Sequence, residues 1–170
     1  MRVVFLRHGI ATDRDEPDGP PDAERPLTGK GKRRTSIAAR GLRVLGVAPD
    51  RILVSPYLRA RQTAELAAEA LGFAQAKVQI VAGLVPDAPP APLFDALARH
   101  QDVECVLVVG HAPHLDVALR FALDRDDTPL WALKKAGAAC VALTKAARPG
   151  GRLVWLLEAA ALRALAHAAT

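Results

Sequence analysis

Val3-Val4-Phe5-Leu6-Arg7-His8-Gly9 begins as an apolar run and ends in a cation, an imidazole and a glycine. Four successive apolar residues of β-branched and aromatic character predict a strand covered on both faces, as in a parallel sheet. Gly9 allows a sharp exit or the close approach of a ligand. In open α/β sheets ligands collect at the carboxyl ends of strands. Arg7 and His8 are therefore candidates for chemistry, against the plainer reading in which they merely start a solvated loop.

The pattern returns twice. Arg51-Ile52-Leu53-Val54-Ser55 is a second apolar strand that ends at Ser55-Pro56-Tyr57, followed by a helix with Ala60, Thr63, Ala64, Leu66, Ala67 and Leu71. Arg59 and Arg61 fall in the first turn of that helix, where cations oppose the helix dipole. An anion bound at the helix start would turn the misfit to use. Val103 to Val109 is the longest candidate for a buried strand, and it stops at Gly110-His111-Ala112-Pro113-His114. Two strands thus each deliver one histidine.

Between these units, Ile10 to Asp22 is rich in Pro, Gly and Asp and predicts a long loop bordering the site. Arg25-Pro26-Leu27-Thr28 introduces a helix capped by Thr28 and closed by Gly46, with a basic face of Lys30, Lys32, Arg33, Arg34, Arg40 and Arg43. Such a face is ordinarily solvated, and it is also one that would steer an acidic partner. Lys77 to Val81 alternates as a strand, and the proline-rich Gly83 to Pro92 predicts no regular structure. A short helix about Leu93 and Leu97 ends near His100, read as a surface residue. Another helix covers Leu115 to Leu123, followed by the polar stretch Asp124 to Pro129. Residues 138–143 and 152–157 predict a hairpin joined through Arg148-Pro149-Gly150-Gly151, and Glu158 to Ala168 a last helix with His167 at its frayed end.

Alternating strands and helices over 170 residues predict one domain, 1–170, with the hairpin and helix (about 138–168) at its C-terminal end. The expected fold is a three-layer α/β/α sandwich with a mainly parallel central sheet. Aromatic residues make up only 4%, so the core is aliphatic and alanine-rich. The net charge of +5 favours anionic partners, but aromatic residues are too few for base-stacking platforms and no nucleic-acid motif occurs. Cys105 and Cys140 sit inside apolar runs and read as small buried hydrophobes, consistent with a reducing cytosol. The chain starts directly on its first strand and holds no apolar run long enough to cross a membrane, so a soluble, cytoplasmic protein is expected.

If the strand ends meet, Arg7, His8, Arg59 and His111 form a cationic, nucleophilic pocket. A neutral imidazole can attack phosphorus, arginine forks bind nonbridging oxygens, and the second imidazole can donate to the phosphoryl group. No metal or cofactor is needed for such chemistry.

These residues resemble the histidine phosphatase superfamily, whose signature is Arg-His-Gly at the end of the first strand. Arg25-Pro26-Leu27-Thr28, Val54-Ser55-Pro56-Tyr57-Leu58-Arg59-Ala60-Arg61-Gln62-Thr63-Ala64 and Val108-Val109-Gly110-His111-Ala112-Pro113 bring the resemblance closer to the small phosphohistidine phosphatases of the SixA type. The resemblance implies a phosphoglycerate-mutase-like fold, His8 as the phosphorylated nucleophile, and Arg7, Arg59 and His111, with Gly9, around the phosphoryl group. It also implies no cofactor and no metal. Many relatives carry a carboxylic general acid after the third strand, where this chain has Gly83-Leu84-Val85-Pro86. Asp87 is the candidate acid, with Asp13 and Asp15 as further loop carboxylates.

Loss of general-acid help costs about 10²–10⁴-fold when an alkoxide departs. A phosphohistidine imidazole leaves as a neutral ring, so the departure favours a P–N substrate, and the short borders leave room for a phosphorylated side chain. The partner expected is a phosphorylated protein of the phosphorelay type or a small phosphate ester, with no nucleic acid and no membrane, and the chain is expected to be a monomer. Two rivals remain: a metal hydrolase built on His111, His114 and Asp116, and a phospho-recognition module without turnover.

Overall fold

The computed structural model describes residues 1–15, 17–124, 132–144 and 150–169. The opening apolar run forms β1 (Arg2–Arg7), with Val3 to Leu6 all buried. The second and third copies of the pattern form β2 (Arg51–Val54) and β4 (Cys105–Gly110), and β3 (Val78–Ile80) is a short edge strand. The hairpin strands are β5 (Ala138–Ala142) and β6 (Arg152–Leu157). All six make one sheet in the order β3-β2-β4-β1-β5-β6. The first four run parallel, and β5 and β6 are antiparallel additions beside β1.

Helices α1 (Gly29–Val44), α2 (Leu58–Leu71) and α5 (Ala159–Ala168) cover one face; α3 (Ala91–Ala98) and α4 (His114–Ala122) cover the other. The pleat divides the strands accordingly. Val4, Leu6, Leu107 and Val109 enter the α1–α2–α5 layer, and Val3, Phe5, Val106 and Val108 enter the α3–α4 layer. The expected three-layer sandwich with a mainly parallel sheet is the fold observed. Its central strands are buried on both faces, which is why they read as unbroken apolar runs.

Thr28 caps α1, its hydroxyl accepting from Gly31 N–H at 2.9 Å, and Gly46 adopts φ 73° just beyond the helix. Gly41 lets α5 approach closely, since a Cβ there would lie 2.0 Å from the Leu162 carbonyl oxygen. Cys105 and Cys140 are buried, and burial raises both thiol pKa values, Cys105 to about 11, so neither is a thiolate near neutrality.

One expectation about regular structure fails. The proline-rich segment contains a 3₁₀ turn, Ala82–Leu84, and its last residues, Ala91 and Pro92, already belong to α3. Proline is compatible with a first helical turn because no intrahelical acceptor exists there for an N–H. Lys77 likewise falls in a 3₁₀ turn, Gln75–Lys77, leaving β3 three residues long. Most of the polar stretch after Asp124, and Arg148-Pro149 of the hairpin connection, lie outside the described residues.

Candidate active site

The β1–β4 ladder ends with Arg7 opposite Gly110, and His8 N–H then donates to the Gly110 carbonyl at 2.9 Å. Parallel register therefore brings the next residues, His8 and His111, side by side with ring centroids 5.0 Å apart. Both are buried, at 7% and 1% exposure. Burial without a carboxylate partner disfavours the imidazolium. It lowers the His8 pKa to about 3, with Arg59, Arg7 and Lys135 adding repulsion, and lowers His111 to about 2, with His8 and Arg59 adding theirs. Both rings are neutral near pH 7.

The tautomer of His8 follows from its neighbours. Nδ1 lies 2.7 Å from the Gly9 carbonyl, which can only accept, so Nδ1 carries the proton and Nε2 the lone pair. Arg59 Nε–H donates to that Nε2 at 3.3 Å. His111 Nε2 pairs with Ser55 Oγ at 2.8 Å, and Nδ1 has no partner among the described residues. Ser55 lies at the end of β2, so three adjacent parallel strands contribute to one site.

Arg59 enters from the first turn of α2 and is 2% exposed. Its Nη1 donates to the Asp22 carbonyl and its Nη2 to Asp22 Oδ2 at 3.1 Å, and its guanidinium lies 4.9 Å from the Tyr57 ring centre. Tyr57 also meets the His111 ring edge-on. Asp22 is shared further with Arg25 Nη2 at 2.6 Å and Arg14 Nε at 3.3 Å. Hydrogen bonds from Arg25, Arg14 and Arg59 hold its carboxyl well below the ordinary range despite an opposing cost of burial. Arg61 does not reach this site; it is exposed and borders a groove with Glu65 and Ile80.

Arg7 is fixed from the other side. Its Nη1 donates to the Leu133 carbonyl at 2.6 Å, and Leu133 N–H donates to Asp116 Oδ1 at 2.9 Å. Ala136 N–H closes onto the Arg7 and His8 carbonyls. Arg7, His8, Arg59 and His111 line one cavity of about 170 Å³, into which Arg14 and Lys135 also face.

Gly9 has a different setting from the ligand contact expected. Its N–H donates to Thr63 Oγ1 at 3.1 Å, and a Cβ at Gly9 would fall 2.2 Å from Thr35 Oγ1, so glycine is required by the approach of α1. Asp87 is exposed, near enough to Arg14 to help raise its pKa, and only its neighbour Pro86 lines the cavity. Asp13 and Asp15 are exposed in the loop. His100 is half-buried, paired with Gln79 at 3.2 Å. His114 is buried with its imidazole against the Pro89 backbone, and among the described residues no three side chains could hold a metal together.

Sequence reading missed Asp22, Arg14, Arg25, Ser55, Lys135 and the Asp116–Leu133 support as parts of the site. Arg25 and Ser55 lay within quoted motifs. Asp22 carried no signal beyond being a carboxylate among loop arginines.

The family model for the histidine phosphatase superfamily (branch 1) matches residues 3–85. Phosphohistidine phosphatase SixA of Escherichia coli K12 is 32% identical over 115 residues, covering 66% of this chain and 68% of SixA. The chain belongs to the histidine phosphatase superfamily. An uncharacterized protein of Picosynechococcus is 45% identical over 119 residues, 68% of each chain. The solved structure of the protein histidine phosphatase SixA complexed with tungstate superposes with a TM-score of 0.83 at 27% identity, covering 95% of this chain and 99% of that one. As a SixA-like member of the superfamily, the chain is a phosphatase. No described helix is long and apolar enough to cross a membrane.

Proposed function

We propose that this phosphatase removes the phosphoryl group from phosphohistidine on a protein, of the phosphorelay type, through a covalent phosphohistidine on His8. The observation that carries the reading is the neutral His8 ring with its Nε2 lone pair held among Arg7, Arg59 and Lys135, beside a second neutral imidazole. His8 Nε2 attacks phosphorus, the His8 Nε2–P bond forms, and the substrate P–N bond breaks with its electron pair leaving on the imidazole, whose other ring nitrogen already carries a proton so that it departs as a neutral ring. Water then attacks the phosphorus, the His8–P bond breaks, and inorganic phosphate departs. Arg7 and Arg59 oppose the charge of the transferring group, Arg59 exchanging its bond with Nε2 for one to a phosphoryl oxygen, and His111 steadies an equatorial oxygen. The arginines supply the positive charge that a metal would otherwise provide, so the proposal uses no metal and no cofactor.

The leaving group decides the substrate class. Asp22 is ionised and occupied by three arginines, so it has no proton to give. Asp87 at the rim is the candidate general acid, and it matters for an alkoxide far more than for an imidazole. A small phosphate ester is the alternative substrate, favoured only in so far as Asp87 reaches it. The protein is proposed to act in the cytoplasm as a monomer, on phosphoryl groups rather than nucleic acid or membranes.

The test compares phosphate release from a phosphohistidine protein and from common phosphomonoesters, in excess chelator, with acid-free trapping of the enzyme during turnover. The expected result is preference for the P–N substrate, insensitivity to chelator and label on His8. Preference for esters with loss in Asp87→Ala would transfer the reading to the alternative, label on another residue would reassign the nucleophile, and tight binding without turnover would leave a phospho-recognition module.

A further inference from the structure

Behind the phosphate pocket lies a second and larger cavity of about 410 Å³, between the start of α1, the start of α5 and residues 134–136. Five cations border it, Arg7, Arg34, Lys134, Lys135 and Arg163, against one carboxylate, Glu158. Arg34 belongs to the basic face of α1, for which the catalytic pocket gives no use.

The cavity meets the N-terminus of α5, a ten-residue helix, at Ala159 and Ala160. The first N–H groups of a helix have no partner within it and favour an anion. Glu158 occupies the capping position, yet its side chain makes no capping hydrogen bond, so these donors are left to another acceptor. A separate observation points to a ligand. Thr35 lines the same cavity at 1% exposure, and its hydroxyl has no hydrogen-bond partner among the described residues. A buried hydroxyl without a partner costs free energy unless something supplies one. Ile10 and Ala136 add an apolar wall, and the size is that of a small-molecule site rather than of one ion.

We infer that this cavity is a second oxyanion site, taking the phosphate group of a small molecule between the α5 N-terminus, the Thr35 hydroxyl, Arg34 and Arg163. The site stands apart from the catalytic reading and does not depend on it. Arg7 and Lys135 line both cavities, so the two anions compete for the same pair of cations.

The test is a titration of the ¹⁵N-labelled full-length protein with inorganic phosphate, followed by amide shifts. Thr35, Ala159 and Ala160 should move as one group with a midpoint different from that of Gly9 and His111. In the Arg34→Ala/Arg163→Ala double variant the midpoint of the first group should rise at least about tenfold, with the second group changed by less than about twofold. Glu158→Gln, which removes only the opposing charge, should lower the first midpoint by about two- to threefold. Phenylphosphonate, which cannot be hydrolysed, separates the sources: tighter binding than inorganic phosphate supports a phosphate-bearing molecule against the apolar wall, and equal binding supports the free ion. Amides of α5 that stay still throughout the titration, well beyond saturation of Gly9 and His111, or that move with an unchanged midpoint in the double variant, would overturn the inference.

Discussion

The phosphate pocket has two walls made in different ways. One wall is the sheet edge, where β-ladder register alone sets His8 beside His111 and both rings are largely buried yet line the cavity. The other is a loop wall, where a half-buried carboxylate, Asp22, gathers Arg14, Arg25 and Arg59 from three parts of the chain. The sheet wall is secured by a core that cannot shift without breaking the ladder. The loop wall is secured by charge, and Arg14 within it is mostly exposed and open to screening. Reactive groups whose spacing matters stand on the rigid wall, and groups that must exchange partners with an arriving anion stand on the adjustable one.

The sharpest break in this contrast is His8→Ala, expected to cut phosphate release by about 10³-fold or more while the urea midpoint stays near wild type. Full activity would remove the sheet wall from the chemistry. His111→Ala is expected to lower kcat by about 10²-fold, read from initial rates. Asp22→Ala should lower kcat/KM by about tenfold and steepen its salt dependence, because three arginines lose their shared counter-ion. A variant with unchanged rate and salt response would show that the loop wall holds itself without Asp22.

Acid should weaken the fold through the histidines of the sheet wall, by favouring the unfolded chain in which they are free to charge. His8 and His111 titrate lower in the folded chain, about 3 and about 2, than the ordinary 6.5, because burial opposes their charge. The unfolded chain therefore binds more protons below pH 6.5, and stability falls as pH drops from about 6.5 towards 3. Asp22, also lowered, adds a loss in the same direction as pH falls below the carboxylate range. Urea unfolding at pH 7, 5.5 and 4 checks the slope, which should flatten between pH 7 and 4 in a His8→Ala/His111→Ala variant. Thr28→Ala is the mildest change, costing about 1 kcal/mol through the lost cap, and it should alter turnover little. Because Thr28 Oγ1 also reaches the Ile10 carbonyl, a large loss of activity would mean that the α1 cap supports the loop wall as well.

The sheet wall was legible early because a strand buried on both faces leaves a continuous apolar run, and Arg7-His8 and Gly110-His111 mark where two such runs stop. Arg59 was legible as a cation at the wrong end of a helix. Arg61, two residues on, carried the same local signal but lies about 200° further round the helix and faces a different groove, so local charge alone did not separate them. The α3 start was hidden by Pro89, Pro90 and Pro92, since proline forbids a helix interior but suits its first turn. Asp22 gave no periodic or motif signal, because its partners Arg25 and Arg59 are set by how the loop lies across α2.

By itself, the chain's order of apolar runs, glycines and caps determined the layered α/β fold and the strand ends that carry Arg7, His8 and His111, because these depend on short-range periodicity and on burial that any packing must satisfy. Tertiary structure alone decided which His8 nitrogen keeps its lone pair, that Asp22 gathers three arginines, that Gly9 yields to Thr35, and that Arg7 stands between two cavities. Some of these outcomes join residues remote in sequence, as Gly9 with Thr35 and Asp22 with Arg59, and even the near pairs, His8 with Gly9 and Asp22 with Arg25, take their geometry only once the ladder register and the loop paths are set.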